Sequence, residues 1–213
     1  MKASSEQDLA RPIIYRALMA GLAYPAEEFM AQTQAWQAAL VEALETVGLS
    51  AGEVAAALEA LNGDLQALQI EHTRLFINGV PHVLAPPYAS VYADGGRLMG
   101  QPAERALRAY REAGLTISSA SHALPDHLAV ELEFMFHLGR EELKATDHGD
   151  TARADQMRQR SIVFLNECLL PWVPAWRQRV EESARLAFYP ALARLAEAWL
   201  RTDAQYLATL IPV

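Results

Sequence analysis

Residues 126–144 read DHLAVELEFMFHLGREELK, and the fold turns on how this stretch is wound. Stepped at 100° per residue from Glu131, the residues Leu128, Leu132, Met135, Phe136 and Gly139 fall between about 40° and 140°, with Phe134 and Leu138 near about 300° and 340°. Asp126, Glu133, His137, Arg140 and Lys144 gather near about 180–240°, which makes that edge the wet one. This is the most apolar helix of the chain. Pro125 suits a first helical position, so the spacing predicts a helix from Pro125 to Lys144. Glu131 and His127 fall inside the apolar arc, four residues apart. A carboxylate there is costly unless partnered, and His127 is within helical reach. A supporting polar pair is the expectation, either structural or as the floor of a recognition pocket. The alternative is a metal-dependent or acid–base centre built from His127, Glu131, Glu133 and His137. Asp126, in the first turn at the wet edge, is favoured by the helix dipole alone.

The same three-and-four periodicity extends over most of the chain. It predicts helices over Asp8–Tyr24, Glu27–Val47, Ala51–Leu61, Asp64–Phe76, Pro102–Ala113, Thr151–Leu169, Pro171–Arg185 and Pro190–Thr209. Breaks fall at Pro25, Gly48, Asn62-Gly63 and Gly114, and Ser50 with Glu53 suggests a capping box. Alternating runs are scarce. The reading is an all-α fold of about nine helices forming one domain over residues 1–213. Between Ile77 and Arg97 the pattern stops, because Gly79, Pro81, Pro86, Pro87, Gly95 and Gly96 break it. That stretch still carries Val83, Leu84, Tyr88, Val91 and Tyr92, and a long aromatic loop in a helical domain is usually functional or disordered. Its apolar side chains argue for function.

Composition narrows the classes. The chain has 213 residues, 52% hydrophobic and 21% charged, with 18 basic and 26 acidic side chains and a net charge of −8. A nucleic-acid binder would carry a basic surface, so no nucleic-acid partner is expected. Residues 1–71 hold 3 basic and 10 acidic side chains, a net of −7, which reads as a solvated acidic face on the early helices or, as a functional alternative, a field that attracts a basic partner. The one cysteine, Cys168, permits neither an intrachain disulfide nor a cysteine metal cluster. The acidic N-terminal residues do not suit an export signal, and no apolar run approaches the ~20 residues that cross a bilayer, so a cytoplasmic chain without stable membrane insertion is expected. Phosphate-loop, dinucleotide, zinc-protease and serine-hydrolase motifs are absent, and no cofactor is expected.

Four features in chain order matter together: Arg74-Leu75-Phe76; the loop Pro86-Pro87-Tyr88-Ala89-Ser90-Val91-Tyr92; Asp126-His127 opening the apolar helix; and Leu170-Pro171-Trp172 followed by Phe188-Tyr189. The ordered set resembles the TorD/DmsD family of cytoplasmic chaperones that mature molybdenum-cofactor oxidoreductases before twin-arginine export. The resemblance implies an all-helical protein that is not an enzyme. It implies binding of the twin-arginine leader and the apo catalytic subunit of a molybdoenzyme, which assists cofactor insertion and delays export. By position, the leader-binding residues it implies are Leu75, Phe76, Pro86, Pro87, Tyr88, Ser90, Tyr92, Asp126 and His127. Some relatives have been connected with guanine nucleotide, although no phosphate loop is visible here. Two places depart from the family pattern: His72 stands where an aromatic residue usually precedes Leu-Phe, and Ala123-Leu124-Pro125 replaces the usual Glu-Pro-x before Asp-His.

Overall fold

Ser5 opens the first helix with a reciprocal cap, its hydroxyl accepting from the Asp8 amide (3.1 Å) while the Asp8 carboxylate accepts from the Ser5 amide (2.9 Å). The structure is a computed structural model that describes residues 4–79, 82–93, 99–117 and 124–210. Its helices are α1 (Glu6–Leu22), α2 (Glu27–Ala31), α3 (Thr33–Thr46), α4 (Gly52–Leu61), α5 (Leu65–His72), α6 (Ala89–Ala93), α7 (Gln101–Glu112), α8 (Leu128–Asp147), α9 (Thr151–Phe164), α10 (Val173–Ser183) and α11 (Phe188–Leu210). Two π-helical turns, Thr73–Ile77 and Leu165–Leu169, prolong α5 and α9. Among the described residues no strand forms, and Tyr88 and His127 make an isolated antiparallel bridge. No helix of the described residues is long and apolar enough to cross a membrane.

The all-α expectation holds, and the count rises from nine to eleven for local reasons. The helix expected over Glu27–Val47 breaks at Gln32 (φ −103°, ψ 5°). There the Thr33 hydroxyl donates to the Phe29 and Met30 carbonyls (3.0 and 2.7 Å), a back-bond that bends helices. Inside the breaker-rich loop α6 adds one short helix. Two expected starts are corrected. Ser50 and Glu53 form no capping box: Ala51 caps α4, the Ser50 hydroxyl accepts from the Gly52 amide (3.1 Å), and Glu53 pairs with Arg194 (2.8 Å). Pro125 is not helical, because His127 is the N-cap of α8. The loop serines 118, 119 and 121 lie outside the described residues.

Helix α8 is the centre of the molecule, packed between α1 and α9, with α11 lying across α1, α4, α9 and α10. Its buried face carries Leu128, Leu132, Phe134, Met135, Leu138 and Gly139, the arc read from the sequence. Gly139 faces α1, and a Cβ there would stand 3.6 Å from the Pro12 ring, an ordinary contact that the packing would accept. Trp172, Trp176 and Trp199 are buried in the core. One polar knot ties four helices inside it. Arg11 Nε donates to Asp203 Oδ1 (2.6 Å), its Nη1 to Glu142, Tyr15 donates to Asp203 Oδ2 (2.6 Å), and Arg158 Nε reaches Glu142 Oε1 (2.7 Å). Burial disfavours the Arg11 charge, but Asp203 and Glu142 outweigh it and hold the guanidinium ionised.

Candidate functional site

The Leu75-Phe76 turn is built by Glu71, a buried residue at the end of α5. Its carboxylate receives Arg74 through two nitrogens (3.0 and 2.8 Å) and the Arg185 amide (2.5 Å), which fastens the α10–α11 connection to α5. The wider π winding then carries the chain round so that Asn78 N–H reaches the Thr73 carbonyl (2.8 Å). Leu75 points into the core, fully buried, and Phe76 packs edge-on to His72 and Tyr189, with ring centroids 5.1 Å away in each case. His72 therefore fills an aromatic place: its ring also meets Tyr24 and Tyr189 edge-on, at 5.4 and 5.7 Å. Its Nε2 donates to the Leu22 carbonyl (3.1 Å), and burial lowers its pKa.

The aromatic loop folds back over this turn as a strap. Ala85 N–H donates to the Leu75 carbonyl (2.8 Å). Further on, Leu128 N–H donates to the Pro87 carbonyl (2.9 Å) and Ala89 N–H to the Asp126 carbonyl (3.0 Å), so the strap is stitched to the start of α8 by main chain. Asp126 completes the joint. Its Oδ2 accepts from the Ser90 amide (2.8 Å) and from the Ser90 hydroxyl. The sequence placed Asp126 at a wet edge in a first helical turn; it lies before the helix, with Asp126 and Ser90 both fully buried. A reading confined to one helix could not show a strap closing over it.

The expected His127–Glu131 pair does not form. His127 Nδ1 accepts from the Ala129 amide (3.1 Å) as the cap of α8, and its ring lies edge-on to Tyr88 at 4.9 Å. Burial pushes its pKa down to about 4 against the opposing pull of Asp126, so the ring is neutral near pH 7. Glu131 turns the other way and accepts from Trp172 Nε1 (3.1 Å), with Oε1 unpartnered. Burial lifts its pKa well above the usual carboxylate range. Glu133 is exposed and His137 half-buried beside Tyr110 and Glu133, so the four residues of the enzyme alternative do not converge. Among the described residues no group of three His, Cys, Asp or Glu side chains is placed to hold a metal ion.

Strap, π turn and α8 start enclose an apolar groove of about 560 Å³. Phe76, Pro86, Pro87, Tyr88 and His127 line it, as the sequence led one to expect. Leu75 and Ser90 support it from behind, both buried. Tyr92 faces elsewhere, stacked on Trp172 (5.6 Å between centroids) under the Arg179 guanidinium. The sequence reading missed Tyr24, Ile77 and Trp176 as walls. Tyr24 and Ile77 are 52% and 55% exposed, and large apolar side chains left out of an amphipathic pattern were the available signal. Among the described residues no carboxylate lines the groove.

Comparison with known proteins agrees with this architecture. A family model described as nitrate reductase delta subunit matches residues 26–178. The chaperone protein TorD of Vibrio cholerae serotype O1 (strain M66-2) is 35% identical over 127 residues, 60% of this chain and 56% of that one. The match thus spans little more than half of that relative's length. The chaperone protein TorD of Vibrio vulnificus (strain YJ016) is 32% identical over 163 residues, 72% of this chain and 73% of that one. A crystal structure described as a redox enzyme maturation protein from Archaeoglobus fulgidus shares the fold, with a TM-score of 0.55 and 24% identity over 94% of this chain and 96% of that one. With a matching family model across most of its length and a TorD relative 32% identical over 72% of it, this chain belongs to the nitrate reductase delta subunit family, in which the TorD chaperones fall.

Proposed function

We propose that this chain is a non-catalytic maturation chaperone for a molybdenum-cofactor oxidoreductase, acting in the cytoplasm and holding the twin-arginine leader of the apo catalytic subunit while the cofactor is inserted. The observation that carries the reading is the open apolar groove beneath the strap, with Tyr24 and Ile77 exposed at its edge. An exposed apolar concavity on a folded protein marks a binding site, and a leader's apolar segment is a matching occupant. Burying three or four large leader side chains supplies several kcal/mol before ordering costs, which suits affinity on the order of micromolar.

Phe76, Pro86, Pro87, Tyr88 and His127 make the contact surface in this reading, with Leu75, Ser90 and Asp126 fixing the strap that carries it. Tyr92 anchors the far end of the strap through Trp172. The leader's arginine pair lies outside the groove, drawn by the acidic N-terminal third. A peptide carrying the twin-arginine leader of the client oxidoreductase should bind one to one in calorimetry, with a negative heat-capacity change. Tyr88→Ala should weaken it about tenfold while moving the melting temperature little, since Tyr88 is only half-buried. Undiminished binding of a peptide whose apolar segment is replaced by serine and glycine would overturn the assignment.

A further inference from the structure

A second cleft lies between α7 and the α9 helix with its π turn, and it is lined by guanidinium groups. Arg105 and Arg108 stand three apart on α7, hence on one helix face, and Arg160 faces them from α9. The cleft holds about 300 Å³, at the small end for ligand sites, and its floor is apolar, with Phe134, Phe164 and Val163. Arg160 closes one end by donating to the Glu112 main-chain carbonyl (2.6 Å).

Arg11, Arg74, Arg158, Arg177, Arg194 and Arg201 are each in an ion pair with a carboxylate. Among the described residues Arg105, Arg108 and Arg160 share with Arg16, Arg111, Arg140, Arg153, Arg179 and Arg185 the lack of a carboxylate ion pair, and what sets the three apart is that they line one cleft, which Glu112 and Glu167 line as well. Arg105 Nε is moreover buried without any acceptor. A guanidinium N–H withdrawn from water and left unmatched is costly, and the deficit is repaired by an acceptor brought in from outside. The donors are planar forks converging from two helices, an arrangement suited to a tetrahedral oxyanion gripped at several oxygens.

We propose that this cleft binds a phosphate monoester, with Arg105, Arg108 and Arg160 holding the phosphate and the Phe134–Phe164–Val163 floor receiving an apolar or aromatic substituent. The site is independent of the leader groove and shares no lining residue with it. Cys168 also lies at the floor, where burial pushes its thiol up to about 12, so it is not a nucleophile toward the ligand.

The test is calorimetric titration of the full chain with inorganic phosphate and with phenyl phosphate at low ionic strength. One saturable site is expected, with phenyl phosphate the tighter ligand because the floor takes its ring. The double variant Arg105→Gln/Arg108→Gln should weaken phenyl phosphate by at least about tenfold. Arg111→Gln, on the same helix but away from the cleft, should change it less than about twofold. Val163→Glu, at a 42% exposed position on the wall, should abolish binding by repulsion without touching an arginine. Absence of saturable binding up to about 10 mM, equal losses in Arg111→Gln, or full affinity in Val163→Glu would each overturn the proposal. Tighter binding of inorganic phosphate than of phenyl phosphate would overturn its apolar half.

Discussion

The joint between Ser90 and Asp126 is the most exacting test of the strap. Asp126 is fully buried, and both of its described side-chain partners come from Ser90, the amide and the hydroxyl, on one carboxylate oxygen. Ser90→Ala removes the hydroxyl bond and leaves the amide bond in place. A hydrogen bond to a carboxylate is worth about 1.5–3 kcal/mol, so a loss in that range is expected. Asp126→Asn keeps an acceptor for Ser90 but sets an amide NH2 where Oδ1 stands without a partner, an unsatisfied buried donor costing about 1–3 kcal/mol. Because the two changes act on one contact, the double variant should lose less than the sum, with a coupling of about 1–2 kcal/mol.

Urea melts followed by circular dichroism give the global values, and native-state hydrogen exchange at the Ala89 and Leu128 amides gives the local one. Those two N–H groups bridge strap and helix, so they report strap opening separately from unfolding. Exchange at both should quicken in each single variant by more than the melts alone account for. Additivity within about 0.3–0.5 kcal/mol would refute the reasoning, since it would mean the two side chains do not act on each other.

Glu131→Gln should retain the acceptor for Trp172 and change how stability depends on pH. The folded-state pKa of Glu131 is raised by burial, so the folded chain keeps a proton that the unfolded chain releases above about 4.5. Stability therefore falls as pH rises from there toward the folded-state value. The variant should lose that part of the fall, read from parent and variant melts between pH 5 and 8; parallel curves would refute it. Arg11→Met should cost about 3–5 kcal/mol in urea melts, because it leaves Glu142 and Asp203 buried with fewer partners, whereas a loss under about 1 kcal/mol would show the knot to be energetically idle.

The sequence was legible wherever one helix decided the outcome. The buried arc of α8 could be read from spacing alone, since a 3.6-residue period and a wet edge leave one orientation for Leu132, Met135 and Gly139. It failed at one local break and, beyond that, where two segments meet. Thr33 breaks a helix through its own hydroxyl, a local event with a weak signal because threonine is ordinary within helices. Glu131 was rightly held to need a partner, yet the partner is Trp172, 41 residues onward, rather than the histidine one turn back. Arg11 fell on the apolar stripe of α1 with Ile14, Tyr15 and Leu18, and a charge on such a stripe is itself a prediction of buried carboxylates elsewhere. Its partners, 131 and 192 residues away, carry no local mark.

Asp126 shows why this matters for function. A carboxylate beside an apolar loop invites the inference that it meets a leader's guanidinium directly. The structure places both of its described side-chain bonds on the strap, and among the described residues the groove has no carboxylate of its own. The two needs of a leader binder are then met by different parts. Under the proposed leader-binding role, shape and apolar contact would come from a wall whose position Asp126 fixes, and attraction of the arginine pair would fall to the net −7 of residues 1–71, which acts at a distance. Such a division favours tolerance. Apolar segments of differing sequence can fill one groove, while a diffuse field accepts an arginine pair at more than one register, which a single buried carboxylate would not.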